Sequence, residues 1–279
     1  RINAFGDIDL SNNHYDLTAE IQSLKLAYDT IDLNTSSVSM QFLSGDSTIS
    51  AQLDNEDLSV DFTSQVGISQ FVESAIGCYD VAMKQVERIS LNIDTLQEAL
   101  PPFACEIEMG RKGLVPQYLK YSDIEMRDMN LQLYNDSTVY GRGVIHRLNA
   151  FGTELDTITA KLVQTGKYLD YRFHVGNRPG TLDNFASVTL MGGVLGSRLS
   201  TIYDVKDIRQ STGYHFGTHA DLNDSIVKVN IFTPKPRIGY HDWSVNEGNY
   251  VQYNYKNQHL DADLTLDGGS SGVIRLFTD

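Results

Sequence analysis

The sequence predicts a mainly β protein: a large antiparallel sheet that is apolar on one side, with one amphipathic helix over about residues 69–100. Three features carry that prediction. Leu169, Tyr171, Phe173 and Val175 alternate with Asp170, Arg172 and His174, which puts the apolar side chains of a strand on one face and the polar ones on the other. The pattern returns where Val227, Val229 and Ile231 interleave with Lys228 and Asn230, and where Leu260, Ala262, Leu264 and Leu266 interleave with Asp261, Asp263, Thr265 and Asp267. Only one long stretch of the chain changes to the helical period.

Residues 1–66 read as successive short strands, Leu17–Ile21, Leu24–Tyr28, Val38–Leu43, Ile49–Leu53 and Leu58–Phe62, separated by Asn, Asp, Ser and Gly. From Ser69 to Leu100 the apolar residues fall at Val72, Ile76, Tyr79, Met83, Val86, Ile89, Ile93, Leu96 and Leu100, the alternating steps of four and three that an amphipathic helix requires. Ser69 is placed to cap the start, Glu73 suits the first turn, and Pro101 with Pro102 ends the helix. Gly77 and Ser90-Leu91-Asn92 mark where it can break. Phe103–Met109 returns to alternation, and Gly110–Tyr121, punctuated by Gly and Pro, reads as loop with one short helical turn. Further strands are placed near 124–134, 138–148, 154–163, 168–175, 185–191, 198–206, 213–221, 225–232, 237–241, 250–255, 259–266 and 273–277.

One turn signal recurs: Gly45-Asp46-Ser47-Thr48-Ile49, Asn135-Asp136-Ser137-Thr138-Val139 and Asn223-Asp224-Ser225-Ile226-Val227. Each joins two alternating runs, as a tight antiparallel hairpin does. Asp46 to Asp136 is 90 positions and Asp136 to Asp224 is 88, the spacing of a structural repeat or of a favourable turn recurring by chance.

The 279 residues are enough for one large all-β section or two ordinary domains, and the chain is read as a single β-rich section with a helical insertion. Basic residues number 22 against 36 acidic, a net charge of −14, which argues against a nucleic-acid backbone or an anionic membrane surface as a direct electrostatic partner. No apolar run approaches the ~20 residues of a membrane span. Alternation already under way at Ile8 and Leu10 and still running at Ile274 and Leu276 implies that the natural polypeptide continues at one or both ends. Cys78 and Cys105, the only cysteines, are either buried reduced thiols or a bridge that would add ~3 kcal/mol.

Nothing in the chain demands catalysis, and no cofactor or metal is expected. His215 and His219 stand four apart, but on a strand that step spans ~13 Å and cannot place both imidazoles on one zinc ion. Gly141-Arg142-Gly143 and Gly268-Gly269-Ser270-Ser271-Gly272 lack the strand-to-helix context of phosphate loops and are read as bends and a hairpin turn. Asp54, Glu56 and Asp57 lack calcium-loop spacing and are read as a solvated turn. No Ser, His and acid constellation stands out among the scattered histidines.

An apolar sheet face must be buried by a second sheet, by closure into a barrel, or by a curved sheet folding over its own face. In the third solution the face lines a trough, and an unfilled trough accepts acyl chains, each buried methylene being worth ~0.8 kcal/mol. The helix then lies along the opening or plugs it.

The C-terminal third resembles the translocation and assembly module family of Gram-negative envelopes, the TamB-like proteins. The resemblance is carried by Arg178-Pro179-Gly180-Thr181-Leu182-Asp183-Asn184-Phe185, by Asn223-Asp224-Ser225, and above all by Tyr240-His241-Asp242-Trp243-Ser244-Val245-Asn246-Glu247-Gly248-Asn249-Tyr250-Val251. The order of elements in the middle, a helix, Asn92-Ile93-Asp94-Thr95-Leu96, a Pro-terminated end and an alternating strand, extends the similarity over most of 57–279. It implies an elongated, curved antiparallel sheet folded into a β-taco-like hydrophobic groove, within a long periplasmic protein anchored in the inner membrane.

It further implies phospholipid carried between the two membranes, neighbouring sections of the same chain as partners, and an outer-membrane barrel protein as a second partner. No catalytic residues come with the family. The expected groove wall is Leu169, Tyr171, Phe173, Val175, Val227, Val229, Ile231, Leu260, Leu264 and Leu266. Two other readings stand beside it: a scaffold for barrel assembly through sheet-edge pairing, and a secreted carbohydrate-binding or hydrolytic β protein, suggested by 15 Tyr and the single Trp243.

Overall fold

A computed structural model describes residues 2–9, 14–28, 31–35, 37–150, 152–177 and 186–278, with backbone alone for 2–9, 24, 26–28, 31 and 32. The segment 178–185, which carries part of the family resemblance, lies outside the described residues. The chain is mainly β, with 59% strand and 15% helix, and its large antiparallel sheet is not closed, which removes the barrel solution. It divides into two compact units, Arg1–Cys78 with Gln97–Lys161, and Tyr79–Leu96 with Leu162–Asp279.

The first unit contains β1 (Ile2–Asp9), β2 (His14–Ile21), β3 (Leu24–Tyr28), β4 (Ile31–Thr35), β5 (Val38–Ser44), β6 (Ile49–Asn55), β7 (Leu58–Ser64), β8 (Phe103–Met109), β9 (Ile124–Glu125), β10 (Asp128–Asn135) and β11 (Val139–Ala150). Eight of them pair antiparallel in the order β1, β2, β5, β6, β7, β8, β10, β11. Residues directly opposite in such pairs share a face. Leu17, Phe42, Ala51, Phe62, Cys105 and Leu133 therefore form one apolar row across six strands, and Ala19, Met40, Leu53, Val60, Ile107 and Leu131 form a parallel one. The intervening row, Thr18, Gln41, Gln52, Asp61, Glu106, Gln132 and Arg142, is polar and lies on the opposite face.

The expected helix over 69–100 is two helices, α1 (Ile68–Arg88) and α2 (Ile93–Ala99). The break falls at Ile89, whose φ of 50° is left-handed, with Ile89 N donating to Val86 O and Ser90 N to Gln85 O. Asn92 Oδ1 then accepts from Thr95 N to open α2. Gly77 is passed without interruption. Gly67, not Ser69, takes the cap position, since Phe71 N donates to Gly67 O. A side chain is not tolerated there: a Cβ would come within 2.5 Å of Gly45 O. Phe71 then packs edge-on against Phe62 and Phe103 at 5.3 and 6.3 Å, docking the start of α1 on the apolar face.

Both ends of that face are closed by polar contacts. At one end Ser64 Oγ donates to Pro102 O, and Asn135 Nδ2 donates to Leu100 O and Pro101 O, tying β7 and β10 to the segment after α2. At the other, Asn55 Oδ1 accepts from Leu114 N, and Asp57 accepts from Lys112 N and Gly113 N at 2.6 Å each, holding α3 (Leu114–Lys120). Asp57 is thus an anchor rather than part of a solvated turn. Six steps of ~3.4 Å separate Ile49 from Asn55 on β6, a face ~20 Å wide.

After β12 (Thr153–Thr165), the second unit contains β13 (Tyr168–Gly176), β14 (Ser187–Leu195), β15 (Arg198–Lys206), β16 (Thr212–Asn223), β17 (Ile226–Ile231), β18 (Arg237–Ile238), β19 (His241–Asp242), β20 (Ser244–Val245), β21 (Tyr250–Asn254), β22 (His259–Asp267) and β23 (Val273–Phe277). Its sheet runs β13, β14, β15, β16, β17, β21, β22, β23, again antiparallel throughout. The strand expected near 237–241 is a hairpin, because Gly239 and Tyr240 both have positive φ and turn β18 onto β19.

All three recurring Asp-Ser signals are hairpin turns, β5 to β6, β10 to β11 and β16 to β17. Each is met by the helical segment: Gly67 lies against Gly45 and Asp46, Gln97 Nε2 donates to Ser137 O, and Ser225 N donates to Arg88 O.

Candidate functional site

The three alternating runs read from the sequence converge on one face of the second unit. Leu169, Tyr171, Phe173 and Val175 on β13 stand opposite Val194, Gly192, Leu190 and Val188 on β14. These stand opposite Leu199, Thr201, Tyr203 and Val205 on β15, which face Ala220, Thr218, Phe216 and Tyr214 on β16. Ala220 and Leu222 meet Val229 and Val227 on β17, which meet Val251 and Tyr253 on β21. Those meet Ala262 and Leu260 on β22, and Leu264 and Leu266 pair with Leu276 and Ile274 on β23. Period two propagated through seven registers makes a single apolar face across eight strands.

That face is not packed like a core. Among the described residues the buried apolar side chains other than proline are Ile49 and Met109 in the first unit and Ala186, Val194, Ala262 and Leu266 in the second. Of the ten expected wall residues, Leu266 is buried, Phe173 and Leu260 are 41% and 40% exposed, and the others are half-buried. The aromatic members touch one another: Tyr171 and Phe173 at 5.8 Å, and Tyr203 stacked on Phe216 at 4.7 Å. Tyr171 also donates to Ser200 O, its ring lying in the row of Gly192, where no side chain competes for the space.

The opposite face is polar and internally paired. Arg198 forks onto Asp221, which holds that carboxyl below its usual range. His215 pairs with Asp204 and His219 with Ser200, separate partners that leave no shared metal site, and no metal-holding group occurs among the described residues. Burial, followed by the charge of Arg198, keeps the His219 ring below its ordinary value. Gly141 and Gly143, read as a bend, instead lie inside β11 on the apolar face opposite Leu133 and Leu131, while Gly268–Gly272 makes the expected hairpin turn.

No disulfide bridges Cys78 and Cys105, and Cys105 lies on the apolar face of the first unit with its pKa raised by burial and then by Glu106. Trp243 donates its Nε1–H to Ile238 O, and its ring lies over Gly268, a turn anchor.

The stripe assigned from the helical period is not the one that packs. Val72, Ile76, Tyr79, Met83 and Val86 are 40 to 68% exposed, and α1 docks through Phe71 instead. Phe71 lies off that stripe, and the position of Phe62 and Phe103 is what makes it the docking residue.

The segment around Trp243 is a device for interrupting the sheet. β20 and β21 lie in line along β22, and between them Asn246 takes the place of ladder partners, accepting from Thr265 N and donating to Asp263. Asn249 stands where β21 would continue beside Ile231, and its side chain makes the missing bonds, accepting from Ile231 N at 2.8 Å and donating to Ile231 O at 2.9 Å. No helix among the described residues is long and apolar enough to cross a membrane. Comparison with known protein families, with curated proteins and with solved structures finds no match to this chain.

Proposed function

We propose that this chain binds phospholipid acyl chains along its apolar sheet faces, as a section of a TamB-like periplasmic protein that conducts lipid between inner and outer membranes. The observation that supports it is the continuous apolar face of eight strands left half-exposed. An unfilled face of this kind needs an apolar occupant that demands no matched hydrogen bonds, and acyl chains fit that description. Ten methylenes, each half covered, contribute about 4 kcal/mol.

Native mass spectrometry of the chain purified from a Gram-negative periplasm is expected to show bound phospholipid. Photo-crosslinking groups placed at Phe173 or Val229 should label that lipid, while groups at Arg172 or Lys228, on the polar face, should not. Absence of lipid, or equal labelling from both faces, would refute the reading.

A second reading, a scaffold that receives strands of outer-membrane barrels, is favoured by β23. All five of its residues are exposed, and among the described residues its register is with β22 alone. An open edge of this kind is a template for an added strand. Capture of a synthetic barrel strand, abolished by Arg275→Pro, would support it.

A further inference from the structure

The two interruptions of the second sheet face each other and flank a pocket that is open to solvent. β17 and β18 lie in line along β16, separated by residues 232–236, just as β20 and β21 are separated by 246–249. Between these segments is a space of about 360 Å³ lined by Ile231, Phe232, Pro234, Val245, Asn230 and Glu247, together with Asn246, Gly248 and Asn249. That volume lies at the low end of small-molecule sites.

The polar groups of the lining are not equally available. Asn246 and Asn249 are committed to backbone bonds with Thr265, Asp263 and Ile231. Asn230 and Glu247 have no side-chain hydrogen bond or ion pair among the described residues, and Glu247 is the one charged residue of the lining. Phe232 supplies an aromatic wall: it stacks on His219 at 4.3 Å, yet 37% of it stays exposed. A sugar would need several free donors and acceptors, and an anion would meet a carboxylate. A carboxylate beside an aromatic ring and aliphatic walls suits a cation with an apolar body.

We propose that this pocket binds an alkylammonium group of the choline or ethanolamine type, with the Glu247 carboxylate as counter-ion and Phe232 as cation–π partner. The site does not depend on the lipid reading, because the same group occurs on free amines and on zwitterionic phospholipid headgroups.

The test is titration calorimetry of the full chain with choline chloride and, separately, ethanolamine. Saturable binding is expected, weakened about tenfold by E247Q and by Phe232→Leu, with inorganic phosphate and glycerol not binding. Both variants are checked for unchanged Trp243 fluorescence and thermal midpoint; Glu247 is exposed, so E247Q is the variant expected to keep its fold. No saturable choline or ethanolamine binding, or E247Q binding as tightly as the parent, overturns the proposal.

Vesicles then identify the source. Retention on dioleoylphosphatidylcholine but not dioleoylphosphatidylglycerol, displaced by free choline, assigns a lipid headgroup; choline binding with equal retention on both vesicles assigns a free amine. Acyl-chain labelling at Phe173 with no effect of E247Q on choline affinity would overturn this site and leave the groove standing, whereas choline binding without lipid labelling would do the reverse.

Discussion

Asn249 is the residue on which the interrupted sheet most depends, and its replacement has a calculable effect. It is 8% exposed and makes three hydrogen bonds, from Ile231 N and to the carbonyls of Ile231 and Asn246. Asn249→Ala removes all three and leaves the Ile231 backbone groups without ladder partners, at ~1 kcal/mol per bond about 3 kcal/mol in all. With a urea m-value of about 2 kcal/mol/M, the unfolding midpoint falls by roughly 1.5 M. The single tryptophan, Trp243, lies in the same segment and reports that transition by fluorescence.

Asn249→Asp separates geometry from chemistry. A carboxylate can accept from Ile231 N but cannot donate to two carbonyls, so its pKa in the folded chain rises above ~3.9. A raised carboxyl pKa destabilises the fold above that pKa and is relieved on acidification, so the deficit against the parent should shrink as pH falls toward 4. A midpoint loss under 0.3 M for the Ala variant, or an Asp variant whose deficit is the same at every pH, would refute the account.

Other substitutions address other parts of the molecule. Glu106 accepts a hydrogen bond from Tyr134 and pushes the phenol to about 12, so Glu106→Gln should return its spectrophotometric titration toward 10. Phe71→Ala should cost about 2 kcal/mol, because a half-buried ring and two aromatic contacts are lost, and should speed amide exchange over Ile68–Arg88. Unchanged exchange would mean that α1 is held elsewhere. Gly217→Ala would put a methyl within 2.2 Å of the Phe232 ring, so the stacking on His219 should be lost, visible as a shift of the His219 ring protons, with about 1–3 kcal/mol of stability.

Much of the fold is legible locally. Alternation at β13, β17 and β22 assigns each side chain to a face whatever its neighbours are, because successive side chains of a strand point to opposite sides. The hairpins at Asp46, Asp136 and Asp224 are equally local, since few sequences turn a strand back in so few residues. The break in the helix is less so: Ser90-Leu91-Asn92 marks the place, but the left-handed Ile89 that makes it is a residue type that disfavours such a φ. Glu247 and Phe232 were not legible as a pair. They stand 15 positions apart, and their proximity depends on two interruptions lining up on adjacent strands.

The sequence by itself determined that this chain has a sheet with an apolar and a polar side, and where its tight turns fall, because both are properties of a few consecutive residues. Tertiary structure decided that the separate runs share one face, that this face is left half-exposed, and that α1 packs through Phe71 rather than through its longer apolar stripe. Those outcomes depend on register and packing between residues far apart in the chain, and a local period carries no information about which distant partner will cover it.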